Sequence, residues 1–268
     1  MSLRKRTLTA SVLLCGLFLV IQFASLLVFF LLLQAFILAA LVEFYNLADR
    51  RQLLPQRALG ATCTLIIGAS FYFPWMGFEK GLLICLLLTC TYFVVRISTL
   101  ERLASLPQSI AVTFFGALYL SFTLNYLYRI RLEDGVFSIY FLFAVVFLGD
   151  SGAYFIGKPF GRKKMTPVAS PNKTWEGSAG GILFACLGAL AARKLLLPEI
   201  VLWKALLCGV LIHAAAQISD PFESLFKRAV GIKDSSSVLP GHGGFLDRID
   251  SLILASPVFY YLVKALWK

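Results

Sequence analysis

The chain has 268 residues, 59% of them hydrophobic and 15% charged, far from the ~25% charge of an ordinary soluble domain. Apolar runs recur from end to end and the mean hydropathy is +0.82, which excludes a soluble enzyme with one anchor, a coiled coil and a disordered chain. The net charge of +11 in such a chain speaks for membrane topology and anionic headgroups, not for nucleic acid.

In chain order, Arg4-Lys5-Arg6 precede an uncharged stretch from Thr7 to Val42. As one helix those residues would be about 54 Å long against a hydrocarbon core of about 30 Å. The stretch therefore predicts two spans turning near Gln22 to Ser25, and it is too long for the apolar core of a signal peptide. A loop at 43–57 follows, then spans at 58–76, 80–96, 106–127, 135–156, 175–192, 200–219 and 249–267. The expectation is an all-α, polytopic integral membrane helical bundle of about nine transmembrane helices. Residues 1–130 are expected to carry spans 1 to 5, and 131–268 a transmembrane region with two long cytoplasmic loops, 158–174 and 220–248. With the N-terminus inside, 17 Lys and Arg fall on the cytoplasmic side and 8 on the other, which predicts N-in and C-out.

Six cysteines lie in apolar runs without a CxxC pair, so they read as small core residues, not as disulfides or zinc ligands. Two histidines in all exclude a histidine-built metal site. His213, in mid-helix, reads as a satisfied interhelical hydrogen-bonder.

The two long loops gather nine basic residues, and with the adjoining helix ends they hold Asp150, Glu176, Asp220, Glu223, Asp234, Asp247 and Asp250, half of all the carboxylates. Loops of that length in a compact bundle are usually functional or disordered, and these carry Gly, His and paired charges. Gly241-His242-Gly243-Gly244 lets backbone N–H groups approach an anion, ahead of a helix predicted to begin near Phe245 and to offer its positive end to phosphate. Asp247 and Asp250, three apart, share a helix face, and with Asp220 they supply the hard oxygens that Mg²⁺ prefers. The alternative is that acidic residues in a first turn only complement the helix dipole.

Asp220-Pro221-Phe222-Glu223 reads as a helix start, with Asp as cap, Pro at the first position and Glu closing a capping box. Glu223 can also pair with Lys227 at i,i+4. Asp150 lies within an apolar span, where a carboxylate costs about 2.5 to 3.5 kcal/mol near the bilayer centre, so it should face a wet, polar site. Lys173 and Thr174 open a helix, a natural phosphate position, while Arg162, Lys163 and Lys164 suit anionic lipid. Walker A, GxSxG, HExxH and Rossmann fingerprints are absent from the sequence.

The stretch from Ser224 to Asp250 resembles the signature of the phosphatidate cytidylyltransferases, or CDP-diglyceride synthases. The block Asp150-Ser-Gly-Ala-Tyr154 through Ser170-Pro-Asn-Lys-Thr-Trp-Glu-Gly-Ser178 to Gly181 resembles the same family, whereas residues 1–130 match it only in length and hydrophobic pattern. The resemblance implies transfer of CMP from CTP to phosphatidic acid, giving CDP-diacylglycerol and pyrophosphate with Mg²⁺. It also implies a second, monovalent cation (K⁺), a homodimer, and a bacterial inner-membrane setting with the active site on the cytoplasmic face. Catalytic roles fall on Asp220, Asp247, Lys173 and Arg248. Substrate contacts fall on Lys227, Arg228, Lys233, His242, Gly243, Gly244, Ser170, Asn172, Thr174 and Asp150, and metal ligation on Asp220, Asp247 and Asp250.

The chemistry read from the residues agrees. A phosphate monoester with a second pKa near 6 is already anionic at neutral pH and needs no strong base. It needs charge cancelled between two polyanions and in-line attack at phosphorus. Two other readings compete: an anionic-solute transporter, whose inverted repeats are missing, and a CTP-dependent lipid kinase, which would share the basic loops.

Overall fold

The computed structural model of the chain describes residues 11, 15–238 and 243–267. Gly241 and His242 of the glycine-rich motif lie outside them. Helix α1 (residues 15–23) ends at a bend at Ala24, and Ser25 caps α2 (Leu26–Arg50) by accepting the Val28 N–H at 3.3 Å. The turn inside the long uncharged stretch thus falls where its length required it. The expected loop at 43–57 is shorter, because α2 runs on to Arg50. Its buried Leu41, Phe44, Tyr45, Leu47 and Ala48 keep the helical period through Glu43.

The elements that follow are α3 (Arg57–Tyr72), α4 (Gly77–Arg96), α5 (Leu100–Ala104), α6 (Leu106–Ala117) with a π-helical turn at Leu118–Phe122, and α7 (Tyr126–Asp134). Then come α8 (Val136–Phe160), strands β1 (Lys164–Thr166) and β2 (Ser170–Thr174), α9 (Trp175–Leu196), α10 (Leu202–Ala229) and α11 (Leu246–Leu266). Among the described residues seven helices are long and apolar enough to cross a membrane: α2, α4, the run Leu106–Asp134, α8, α9, α10 and α11. The chain is an all-α, multi-pass membrane protein. The span expected at 58–76 is the 16-residue α3, about 24 Å long and shorter than a hydrocarbon core. Pro74 forces Phe73 into an extended conformation (φ −96°, ψ 108°) and ends it.

The chain forms two compact units, one containing Met1–Tyr128 and Asp234–Arg248, the other Arg129–Lys233 and Ile249–Lys268. In the first, polar bonds tie apolar helices together. Gln34 Nε2 donates to Asn125 Oδ1 at 2.6 Å, Tyr45 Oη to the Thr113 carbonyl at 2.6 Å, and Ser121 Oγ to the Thr64 carbonyl at 2.8 Å. Cys63, Cys85 and Cys208 are buried as expected of core residues, but Cys15 and Cys90 lie exposed on apolar helix surfaces.

In the second unit α8 and α9 run antiparallel along a seam of small residues. A Cβ at Gly157 would lie 3.2 Å from the Gly177 Cα, and one at Gly188 would lie 2.8 Å from the Ala144 carbonyl. Gly209 brings α10 equally close to Ala185 and Ala189. Small residues of this kind let membrane helices approach to backbone distance.

Two features depart from the sequence reading of this unit. The loop at 158–174 contains the antiparallel β1–β2 hairpin, which a helical reading did not include. Asp220-Pro221 does not start a helix: α10 is continuous over 28 residues with Pro221 inside it. Proline removes one N–H from the ladder, but the apolar helix before it and the buried positions Glu223, Ser224 and Lys227 after it keep one face packed. The long loop expected at 220–248 is accordingly reduced to the segment between Ala229 and Leu246.

Candidate active site

The continuity of α10 puts His213, Gln217, Asp220, Glu223, Ser224 and Lys227 at helical spacing along one polar stripe. Asp220 Oδ2 pairs with Lys173 Nζ at 2.8 Å, and Ser224 Oγ donates to Asp220 Oδ1 at 3.4 Å. Lys173 reaches Asp220 from β2, whose end is fixed by Thr174. The Thr174 hydroxyl caps α9 by accepting the Gly177 N–H at 3.2 Å, so it acts on the helix end where a phosphate was expected. Glu176 holds the other side of the hairpin by accepting the Arg162 and Lys163 N–H groups at 3.0 and 3.2 Å.

Asp150, exposed in mid-α8, accepts from Ser251 Oγ at 3.1 Å and lies within electrostatic reach of Lys173 and Asp220. Asp250 accepts the Ser251 N–H at 2.7 Å on its own carboxylate and gives its backbone carbonyl to Ser219 Oγ. It feels the charges of Asp220, Glu223 and Lys227. Glu223 and Lys227 pair with each other, as their spacing predicts, and both are buried. Arg228 donates to the Ala169 and Ile232 carbonyls at 3.2 and 3.1 Å, bracing the hairpin. Ser170 is half-buried, and Asn172 and Lys233 are exposed.

Four carboxylates, Asp150, Asp220, Glu223 and Asp250, therefore meet two ammonium groups, Lys173 and Lys227, an imbalance that favours an added cation. The donors are hard oxygens, which suit Mg²⁺ or a similar ion, and the Lys173 ammonium stands on Asp220 as such a cation would. Among the described residues no three His, Cys, Asp or Glu side chains converge closely enough to form a finished metal cage.

His213 departs from its expected role. It is fully buried and its ring fills the space that Gly149 and Gly181 leave open, yet among the described residues neither ring nitrogen has a hydrogen-bond partner.

Within the first unit the glycine-rich segment carries a different geometry from the one expected. The Phe245 and Leu246 N–H groups that open α11 donate to Glu43, at 3.1 Å to Oε1 and 2.8 Å to Oε2. The positive end of that helix thus holds an internal carboxylate in place of the anticipated phosphate. Asp247 Oδ2 accepts the Ser235 N–H at 2.9 Å, lies 2.9 Å from Ser235 Oγ and accepts the Gly244 N–H at 2.8 Å. Gly243 has φ +77°, where a side chain is strained, and a Cβ on Gly244 would overlap Ser235 Oγ and Glu43 Oε2. The Gly244 N–H is turned onto Asp247, and Arg248 is exposed.

Gly244→Ala is expected to cost about 1–3 kcal/mol through overpacking and to lower turnover of the purified protein. Unchanged turnover with unchanged thermal unfolding would show that the contact is not required. Glu43 was missed in the sequence because it follows the uncharged stretch directly and reads as the first residue of a loop. The signal that finds it is the apolar helical period continuing past it to Ala48.

Helices long enough to span, with charges gathered at positions along them, define a polytopic membrane protein with a polar site. Comparison with known proteins makes this specific. Residues 4–266 match the model of the "Cytidylyltransferase family". The chain is 35% identical over 229 residues to the "Uncharacterized protein YnbB" of Escherichia coli strain K12, covering 77% of this chain and 75% of that protein. It is 35% identical over 177 residues to a phosphatidate cytidylyltransferase of Staphylococcus saprophyticus, covering 66% of this chain and 68% of the relative. It is 37% identical over 185 residues to that of Bacillus subtilis strain 168, covering 67% and 65%. The chain belongs to the cytidylyltransferase family, and it is a CTP-utilising nucleotidyltransferase. Membership carries a divalent-metal requirement.

Proposed function

We propose that the chain is a phosphatidate cytidylyltransferase, joining the phosphate of phosphatidic acid to the CMP part of CTP and releasing pyrophosphate. The observation that supports this reading best is the charged cluster of Asp150, Asp220 and Asp250 on apolar helices with Lys173 on the hairpin, where a bilayer lipid and a soluble nucleotide can both arrive. An oxygen of the phosphatidate phosphate attacks the α-phosphorus. The new P–O bond forms as the bond from the α-phosphorus to the bridging oxygen breaks, and the electron pair leaves with pyrophosphate. The nucleophile is anionic at neutral pH, so the protein's work is positioning and charge neutralisation.

Asp220 would lead in holding Mg²⁺, with the carboxylates of Asp150 and Asp250 nearby adding negative charge, and the ion when bound supplies positive charge to the nucleotide phosphates. Lys173 exchanges its resting partner Asp220 for a substrate phosphate. Asp247 orders the segment it caps. Ser170, Asn172, Lys233, His242, Gly243 and Arg248 are assigned to substrate contacts, and Lys227 and Arg228 to shaping the site through Glu223 and the hairpin. Arg162, Lys163 and Lys164, exposed in the hairpin, are assigned to anionic headgroups.

The direct test is purified protein in detergent with radiolabelled CTP and phosphatidic acid. Labelled CDP-diacylglycerol dependent on both substrates is the expected product, and its absence in an intact, folded preparation would overturn the reading. The proposed topology is N-terminus and site on the cytoplasmic face of a bacterial inner membrane, C-terminus outside. A reporter fused after Lys268 is expected to read non-cytoplasmic; a cytoplasmic signal would break the odd number of spans.

A further inference from the structure

Glu43 has no place in the reaction as set out above, yet it is 4% exposed and four donors surround it. Ser235 Oγ lies 2.9 Å and Leu246 N 2.8 Å from Oε2. Ser236 Oγ lies 2.6 Å and Phe245 N 3.1 Å from Oε1. A buried carboxylate is costly unless its lone pairs are filled in this way.

The donors are Ser235 and Ser236 on one side and Phe245 and Leu246 on the other, so one side chain on α2 ties these two pairs of residues together. Ser235 also reaches Asp247, through its N–H and its hydroxyl, each at 2.9 Å. The hydroxyl has one hydrogen, so Glu43 and Asp247 share it, and the placement of one carboxylate depends on the other. Gly244, whose missing side chain leaves room for both Ser235 and Glu43, belongs to the same cluster.

We infer that Glu43 is a positioning residue for the cytidylyl transfer: by tying Ser235 and Ser236 to Phe245 and Leu246 it orients the segment that opens α11, with Asp247 and Arg248. This rests on the functional reading above, which gives that segment its part in the reaction. Glu43 touches no substrate in this scheme and acts through the residues it holds. Glutamine keeps the size of the side chain but replaces one acceptor oxygen with an NH₂ group, which meets a backbone N–H donor instead of accepting from it. Aspartate keeps both acceptors on a shorter stem.

Two measurements on the detergent-solubilised full chain test the inference. The first is tryptic cleavage after Lys233, an exposed residue two positions before Ser235, followed by mass spectrometry under native conditions. The second is kcat and KM for CTP and phosphatidate. Partners that orient working groups are commonly worth about 10–100-fold, so Glu43→Gln should lower kcat by that amount, leave both KM values within about threefold, and speed cleavage after Lys233 at least about tenfold. Glu43→Asp should recover part of both losses.

A merely structural Glu43 would lower the yield of folded protein and its thermal stability without changing kcat per folded molecule, and that result overturns the inference. So does a Glu43→Gln protein whose cleavage rate and kcat stay within about twofold of wild type. If the wild type transfers no CMP, the functional reading fails and with it the positioning of this reaction. The cleavage rates then still decide separately whether Glu43 holds Ser235 and Ser236 in place.

Discussion

Asp220→Asn is expected to reduce turnover by roughly 10²–10³-fold, the scale seen when a preorganised charged or polar group is removed from a reacting centre. The protein should remain folded and in the membrane. The amide preserves size and can still accept from Ser224, now 3.4 Å from Oδ1. It removes one of the carboxylates from the cluster with Asp150 and Asp250 and leaves Lys173, now 2.8 Å from Oδ2, without its counter-charge. If Asp220 leads the cation-holding group, the Mg²⁺ concentration for half-maximal activity should rise as kcat falls. Asp247→Ala gives a contrasting result: turnover falls because no side-chain oxygen then gathers Ser235 and Gly244, and cleavage after Lys233 accelerates. Near-normal turnover and an unchanged Mg²⁺ midpoint in Asp220→Asn would remove Asp220 from the metal-holding role.

Much of this was legible from hydropathy because the bilayer leaves few alternatives: a segment must be apolar, long enough and helical. The break before Ser25 follows from length alone, and the pairing of Glu223 with Lys227 follows from spacing. What the sequence concealed was where tertiary packing overrules local signals. Asp-Pro-x-Glu at 220–223 carries each mark of a helix start, but α10 continues through it because the buried face on both sides outweighs one lost backbone bond. The β1–β2 hairpin is too short to show a strand period, and its position depends on Glu176 and Thr174 capping from the next helix. Glu43 stands 192 positions before Ser235 in the chain, and no local pattern links an acidic residue in an N-terminal helix to a glycine-rich segment near the other end. His213 fails in the opposite way. Its helical position is plain in the sequence, but the lack of hydrogen-bond partners among the described residues at both ring nitrogens is a property of the packed neighbours.

Lys173→Ala is expected to lower kcat by about 10²-fold with little loss of stability, whereas Lys163→Ala/Lys164→Ala should retain the kcat of the wild type in neutral detergent. The difference comes from where the structure places the three ammonium groups. Lys163 and Lys164 are exposed where β1 begins, the end of the hairpin at which Lys164 pairs with Thr174. Lys173, on the neighbouring strand at the same end, is instead held against Asp220 with both side chains 28% exposed. An ion pair that wet contributes on the order of 1 kcal/mol at most to folding, so thermal unfolding of Lys173→Ala should shift only slightly and a large activity loss must come from the reaction. The fixed hairpin end makes the position demanding as well as the charge. Lys173→Arg should therefore recover only part of the rate, because a planar guanidinium presents its donors in a different geometry from a compact ammonium. Measuring kcat for the three variants beside wild type, with unfolding followed on the same preparations, separates the possibilities. Equal losses from Lys173→Ala and the double variant would show that the basic residues act as one undifferentiated field, and the assignment of Lys173 to a substrate phosphate would fall.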